Sequence, residues 1–375
     1  MLDKPTLRIG LIGTGFMGQA HVFGFATAPK VFDLPMTIEL HKVADITVEA
    51  AENAASAFGF AHATADWRRL IDDPAIDVID ITAPNALHKE MALAAIEAGK
   101  HVYCEKPLAP LANDARDMAD AAEARDVKTQ VGFNYLCNPM LNLAKTMIDA
   151  GELGEIRGYR GLHCEDYMAD AEGPITFRHD PRGGGALADI GSHALATAEF
   201  LLGPITEVLG DCVTMIAERP DGQGGRKPVQ VDDIGRAFLR FAGGVSGSIE
   251  ANWLATGRKM QHDFEVYGSK GALVFSQERF NELHFYSTED TAGRQGFRRI
   301  EAAPDHPPYG RFCVAPGHQI GFNDLKAIEI AGYVEAIAGL APEPFNFGKG
   351  AHIQHLVETI QRSSTEKTWK AVTAF

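Results

Sequence analysis

Cysteine is scarce in this 375-residue chain. There are five, at 104, 137, 164, 212 and 313, an odd number with no CxxC pair. At this length that excludes a disulfide scaffold and fits reduced thiols in a cytoplasmic compartment. No run of 18 apolar residues occurs, so no membrane span and no membrane partner are expected. The N-terminus shows no twin arginine, no adequate apolar h-region and no small-residue cleavage site, so no export signal is read there. Bases are outnumbered, 35 Lys+Arg against 50 Asp+Glu, for a net charge of -15. The excess acid is spread along the chain and no basic face is concentrated enough to hold a phosphate backbone. Nucleic acid is therefore excluded as a partner, and the acidic surface serves solubility.

The length exceeds what one hydrophobic core supports, so two domains are expected. Up to residue 135 short apolar runs alternate with helical segments. Strands are read at 7–12, 38–44, 78–82, 101–104 and 128–133. Alternation of this kind implies right-handed βαβ crossovers and a doubly wound parallel sheet. After Tyr135 the rhythm changes to a helix at 139–150 and then to strands near 155–163, 205–217, 233–241, 245–253, 261–267 and 272–275. Several are joined by glycine turns, as in an antiparallel sheet. One long helix is expected at 186–201, and two helices near 323–339 and 349–363 close the chain. Pro220–Pro228 reads as a mobile, Gly-rich loop, and residues 279–320 are not assigned. The boundary falls near 135, giving residues 1–135 and 136–375.

Gly13-Thr14-Gly15-Phe16-Met17-Gly18 follows the first strand and opens a helix. Gly13 permits a tight turn, Gly15 lets backbone approach a pyrophosphate, and Gly18 lets helix and strand pack closely. The helix N-terminus then offers free N–H groups to the phosphates. Asp45, at the end of the next strand, suits the adenosine ribose hydroxyls and repels a 2′-phosphate, so NAD is favoured over NADP. An ordinary turn aspartate is the other reading. Thr82-Ala83-Pro84-Asn85 and His88 end the third strand, where Asn85 either touches cofactor or substrate or merely caps a helix. Glu105-Lys106-Pro107 ends the fourth. Pro107 biases Lys106 away from helix and leaves its amine to face a crevice.

Asp189-Ile-Gly-Ser-His193 opens the long helix of the second half, and a spacing of four puts both groups on one face. Gly183-Gly184-Gly185 before it lets the chain approach a ligand closely. A histidine of near-neutral pKa can take a hydroxyl proton as hydride leaves the same carbon. His352 and His355 have metal spacing, but no Cys or acid cluster joins them, so an amphipathic helix surface is the preferred reading and no metal is expected. Gly317-His318-Gln319 and Asn323-Asp324 reach substrate or cap the following helix.

Taken together these motifs resemble the glucose–fructose oxidoreductase / inositol dehydrogenase / MocA-type (Gfo/Idh/MocA) family. Gly15-Phe-Met-Gly-Gln-Ala-His21, Asp66-Trp67, Ile71-Asp-Asp-Pro74, Phe133-Asn-Tyr135 and Gly296-Phe-Arg298 look like its levoglucosan-dehydrogenase-like branch. Leu136-Cys137 depart from it, standing where many relatives carry one or two arginines. The resemblance implies an N-terminal Rossmann domain for NAD and a C-terminal α/β domain with an open, mostly antiparallel sheet. It implies Lys106, Asp189 and His193 as catalytic residues, and hydride transfer at a sugar or polyol hydroxyl. A homodimer or homotetramer built through the open sheet is also implied.

The cofactor contacts expected are Gly13, Thr14, Gly15, Phe16, Met17, Gly18, Asp45, Thr82, Pro84, Asn85, His88, Glu105, Lys106 and Asn134. Tyr135, His163 and Asp166 are expected beside Lys106, Asp189 and His193 at the substrate. Two alternatives remain: an NAD-dependent glycosidase on the same scaffold, and a non-catalytic NAD(H)-sensing protein.

Overall fold

The computed structural model describes residues 4–373. The first sheet is parallel and has six strands: β1 Thr6–Ile12, β2 Thr37–Ala44, β3 His62–Thr64, β4 Val78–Ile81, β5 His101–Cys104 and β6 Thr129–Val131. Their order is β3-β2-β1-β4-β5-β6. β1 pairs with β2 on one side (Ile12 opposite Ala44) and with β4 on the other (Ile12 opposite Ile81). The strand order reverses between them, which makes their carboxyl ends the switch point where ligands of such sheets bind. β4 is buried along its whole length, as a central parallel strand covered on both faces must be. The short β3 was not foreseen from the sequence.

Local chemistry sets the helix ends. The helix Val48–Phe58 starts where the Thr47 side chain accepts from the Ala50 N–H, and stops at Gly59 in the left-handed region at φ 83°. The helix Phe16–Val31 takes Pro29 inside it.

The compact units are not sequential. Residues up to Cys137 cluster with Ile320–His352, and Asn138–Gln319 with Ile353 onwards. A single cut near 135 is expected from the change in rhythm, but the helix Phe322–Ile337 joins the first unit. It buries Leu325, Ile330, Tyr333 and Val334. Gly24 lets it lie close to the helix Phe16–Val31, since a Cβ there would meet the Ile330 side chain at 2.6 Å. Val131 N–H donates to the Phe345 carbonyl at 2.8 Å, tying the same segment to β6.

The second unit holds a nine-stranded sheet. Its strands are β7 Ile156–Cys164, β8 Ile205–Val213, β11 Ile234–Phe241, β12 Ser246–Asn252, β13 Gln261–Gly268, β14 Gly271–Ser276, β15 Glu282–Ser287, β16 Arg298–Glu301 and β17 Lys370–Ala371. The order is β16-β15-β14-β13-β7-β12-β11-β8-β17, parallel only between β7 and β12. β11 shows the alternation of a half-covered sheet: Ala237, Leu239 and Phe241 are buried while Arg236, Phe238 and Arg240 face out.

Residues 220–228, expected as a mobile loop, fall in a hairpin of β9 Glu218–Pro220 and β10 Arg226–Pro228. Asp221 fixes its tip by accepting from the N–H groups of Gln223 and Gly225 at 2.8 and 2.9 Å. The expected single helix at 186–201 begins as a π-helical turn, Leu187–Gly191, before the α-helix Ser192–Leu202. The unassigned residues 279–320 supply β15, β16 and the short helix Tyr309–Phe312.

Candidate active site

The glycine loop is shaped for something outside the protein. Gly13 sits at φ 96°, where a Cβ would press on Thr82 backbone at 3.0 Å. At Gly18 a Cβ would lie 2.4 Å from the Gly13 carbonyl oxygen, so helix and turn touch. Gly15 differs: its φ is an ordinary -67°, and an added Cβ would meet nothing within 4 Å. Neither backbone nor packing demands glycine there, so the open space suits a ligand that approaches the backbone. The helix Phe16–Val31 has no side-chain cap and no acid in its first turn, which leaves the N–H groups of that turn for an anion.

The strand ends complete the nucleotide side. Asp45 accepts from the Thr14 N–H at 3.0 Å and from its hydroxyl, while its other oxygen takes the Ile46 N–H at 2.6 Å. The Thr82 hydroxyl donates to the Gly13 carbonyl at 2.8 Å and locks the turn. Pro84 precedes a 3₁₀ turn, Asn85–Leu87, in which Asn85 is half-buried and is not the cap. Asn134 is buried, and its amide nitrogen finds no partner among the described residues, a donor that a ligand carbonyl would satisfy. Open space at Gly15, an uncapped helix start and this orphan donor all fit a bound dinucleotide. Phe16 is largely exposed and stacks on Phe322 at 5.9 Å, and Tyr135 packs on Phe322 at 6.1 Å.

His88 departs from expectation. Its ring is fully buried, with Nε2 2.8 Å from the Ala83 carbonyl and Nδ1 3.0 Å from the Pro107 carbonyl. It ties two strand-end loops together, and burial lowers its pKa. Glu105 is likewise buried, inside an ionic cluster that the sequence did not reveal.

One Glu105 oxygen accepts from Lys326 Nζ and lies by His21 Nε2, both at 2.8 Å. The other oxygen accepts from the Lys106 N–H at 3.1 Å. His21 Nδ1 lies 2.8 and 3.1 Å from the two Asp80 oxygens. Lys326 also donates to the Tyr103 hydroxyl and to Glu329. Burial alone would raise the Glu105 pKa, but Lys326 and His21 hold it well below the usual carboxylate range. Burial would discharge His21, yet Asp80 and Glu105 outweigh it and hold the ring above its ordinary value.

In the second unit the expected groups gather around a π-turn. Asp189 Oδ2 accepts from the Tyr167 hydroxyl and from Arg178 Nε, each at 2.8 Å. Arg178 also lies over the Phe177 ring at 4.6 Å. Asp232, buried beneath the turn, accepts from the Leu187 N–H at 2.8 Å, and burial pushes its pKa up to about 6. The triple glycine serves protein contacts: a Cβ at Gly184 would lie 2.2 Å from the Arg178 carbonyl oxygen, and one at Gly185 2.5 Å from Asp232.

His193 is buried, with its ring 5.5 Å from that of His163 and 6.1 Å from that of His262. His163 and His262 face each other across β7 and β13 and stack at 4.8 Å. His163 Nε2 lies 2.9 Å from Glu165, and His262 Nε2 lies 3.1 Å from the Thr197 hydroxyl. Burial, then the neighbouring His163, pushes the His262 pKa well below its ordinary value.

Asp166 is committed elsewhere. Lys259 takes both of its oxygens, at 2.9 and 2.7 Å, and the Gly257 N–H a further bond. Asp324 accepts from the Gly321 N–H at 2.7 Å and caps its helix, which resolves that part of the open alternative. Among the described residues no group of three His, Cys, Asp or Glu side chains is placed to hold a metal ion.

The sequence reading missed His21, Lys326, Tyr167, Arg178 and His262. Only His262 carried a signal, since strand alternation puts it on the buried face with Phe264 and Val266.

Comparison with known proteins agrees with this geometry. Residues 7–133 match the pattern of the oxidoreductase family with an NAD-binding Rossmann fold, and residues 141–274 that of the GFO/IDH/MocA C-terminal domain. Levoglucosan dehydrogenase of Pseudarthrobacter phenanthrenivorans is 38% identical over 97% of each chain. A structure of levoglucosan dehydrogenase in complex with NADH and levoglucosan superposes with a TM-score of 0.94 at 39% identity, covering 98% of this chain and 99% of that one. An NAD binding oxidoreductase from Klebsiella pneumoniae gives 0.94 at 40% identity, over 98% and 99% of the two chains. With both halves matched, the chain belongs to the Gfo/Idh/MocA family of NAD-binding oxidoreductases.

Proposed function

We propose that this oxidoreductase uses NAD to oxidise a secondary hydroxyl of a pyranose-like sugar or cyclic polyol, with an anhydrosugar of the levoglucosan type as first candidate. The observation that carries the reading is the pairing of an NAD-shaped glycine loop with a Lys106 whose backbone is fixed at the carboxyl end of β5, next to the switch point. His193 is the general base that takes the hydroxyl proton. Lys106 hydrogen-bonds the reacting oxygen and steadies its developing negative charge. Asp189, held by Tyr167 and Arg178, orients the substrate or His193. Tyr135 and His163 line the sugar site. When bound, the nicotinamide accepts the hydride. Asp45 favours NAD over NADP, because its carboxylate stands where a 2′-phosphate would need a cation.

The five thiols, none in a disulfide, fit work in a reducing cytoplasm. No described helix is long and apolar enough to cross a membrane. Exposed Phe238 and Tyr267 on the open face of the second sheet fit a homodimer or homotetramer built there.

The test pairs turnover with cofactor binding. Lys106→Ala and His193→Ala should each lower turnover of levoglucosan with NAD by about 10²–10⁴-fold. NADH affinity should fall far less, by under about tenfold, since Lys106 is one contact among many to the dinucleotide and His193 is none of them. Unchanged turnover in both variants overturns the assignment. A panel of anhydrosugars and polyols, read at the absorbance of reduced nicotinamide, tests the substrate class. Glycoside cleavage without net NADH would instead mark a glycosidase, and tight NAD binding with no turnover a sensor.

A further inference from the structure

We propose that His21, Glu105 and Lys326 act as one positioning unit for Lys106: the two cations grip the Glu105 carboxylate, which in turn holds the Lys106 backbone N–H. The inference rests on the reading of Lys106 given above and adds residues to it. The geometry makes Glu105 the hub. Its Oε1 is 2.8 Å from both Lys326 Nζ and His21 Nε2, and its Oε2 is 3.1 Å from the Lys106 nitrogen. Gly132 leaves room for this carboxylate, because a Cβ there would lie 2.3 Å from Oε1. On the far side of Lys106, His88 holds the Pro107 carbonyl at 3.0 Å. Residues 105–107 are thus held on both flanks by buried side chains.

His21 is fitted for a permanent charge. Both ring nitrogens face carboxylates, Asp80 from β4 and Glu105 from the residue after β5. Each contact is a hydrogen bond only if each nitrogen carries a proton, so the doubly protonated ring alone satisfies both. Tyr103 stacks on the ring at 4.4 Å. Other groups facing the cluster are Lys326 and Glu329 from the helix Phe322–Ile337, Cys104 beside Glu105 on β5, Cys137, and His88 from the helix it opens.

A cluster needed only for packing would do as well or better with apolar side chains, since buried ion pairs rarely add net stability. Here one carboxylate oxygen is turned to the backbone of Lys106. The Glu105 carboxylate therefore fixes the backbone from which the Lys106 side chain projects. Removing Lys326 leaves the carboxylate without one of its two anchors, and removing the Glu105 charge weakens its grip on that N–H.

The experiment compares Lys326→Gln, Glu105→Gln, the double variant and Lys326→Arg with the unaltered enzyme. The first readout is hydrogen–deuterium exchange of the Lys106 backbone N–H at fixed neutral pH, followed by mass spectrometry. It needs no substrate. Lys326→Gln and Glu105→Gln should each speed exchange at that N–H by about tenfold, because the carboxylate that holds it is loosened or weakened. The double variant should exchange no faster than Glu105→Gln alone, since both changes act through one hydrogen bond, and Lys326→Arg should stay within about threefold of the unaltered enzyme.

The second readout is steady-state kinetics with levoglucosan and NAD. Both single variants should lower kcat with KM changed less than about twofold, and Lys326→Arg should rescue. Exchange rates that are unchanged, or single-variant effects that add up in the double variant as general loosening would cause, overturn the proposal. If Lys326→Gln does not fold, Glu105→Gln and Lys326→Arg still decide it, because the first must speed exchange and the second must not. Full activity in Lys106→Ala would sink the catalytic reading of Lys106 and leave the exchange result standing on its own.

Discussion

Each unit buries a histidine cluster, and the two are built on opposite principles. In the first, His21 lies between Asp80 and Glu105 with both nitrogens on carboxylates, so the ring is held charged. In the second, His262 lies against another imidazole with a threonine hydroxyl for a partner, so the ring is held neutral. Burial is nearly complete at both rings and pushes both the same way. The neighbours decide the outcome. A fixed charge suits a cluster that braces Lys106 in the role proposed for it above. A neutral imidazole suits the surroundings of a group that must take up a proton and release it, as proposed for His193.

The contrast breaks most strongly at His21. His21→Leu leaves Asp80 and Glu105 without the cation between them, and breaking a buried ionic contact from one side costs about 3–5 kcal/mol. Urea unfolding at pH 7 should show a loss of that size. A loss under about 1 kcal/mol would mean that the ring is neutral and replaceable there.

His262 tests the other side through pH. Its pKa in the folded state lies well below the unfolded value near 6.5. Below that unfolded value the unfolded chain binds a proton that the folded ring refuses. Stability tied to His262 is therefore present above about pH 6.5 and is lost as pH falls, by up to about 1.4 kcal/mol per unit. His21, with its raised pKa, has the opposite sign: its contribution is full below the unfolded value and is lost as pH rises through the folded one. His262→Phe keeps an aromatic ring on His163 and removes the titration. Urea unfolding at pH 7.5 and 5.5 should show a smaller acid loss in the variant than in the parent. An unchanged difference would mean that His262 takes up its proton freely in the folded protein.

These two clusters also mark where the sequence was legible. The glycine loop, Asp45, Thr82 and Lys106 are local signals: each sits at a strand end or helix start whose apolar run is visible within ten residues. The doubly wound parallel sheet and the NAD cofactor could be read for that reason. Lys326 could not. A lysine and a glutamate three apart on a helix read as a solvated face, and both are buried because Glu105 and Tyr103 lie over two hundred residues earlier in the chain. His21 reads as one polar residue in a helix start, and its meaning depends on Asp80, itself hidden in an apolar strand. Residues 220–228 read as a loop because the order of their hairpin comes from Asp221 and two backbone N–H groups, not from apolar alternation. Asp166 shows another contact the sequence hides: Lys259, over ninety residues later, takes both of its oxygens.

The smallest expected effect lies at Thr197, four residues after His193 on the same helix. Its hydroxyl is the hydrogen-bond partner of His262 Nε2 at 3.1 Å, and both groups are buried. Thr197→Val keeps the β-branched shape and removes only that bond, so urea unfolding at pH 7.5 should show a loss of about 1 kcal/mol. The sign at lower pH sharpens the comparison. A neutral ring can either accept from the hydroxyl or donate to it, whereas a protonated ring can only donate. If His262 is neutral throughout, the cost of Thr197→Val is the same at pH 7.5 and 6, and the two unfolding curves stay parallel. A cost that grows as pH falls would mean that the hydroxyl steadies a charged ring, and the two clusters would then work by one principle instead of two.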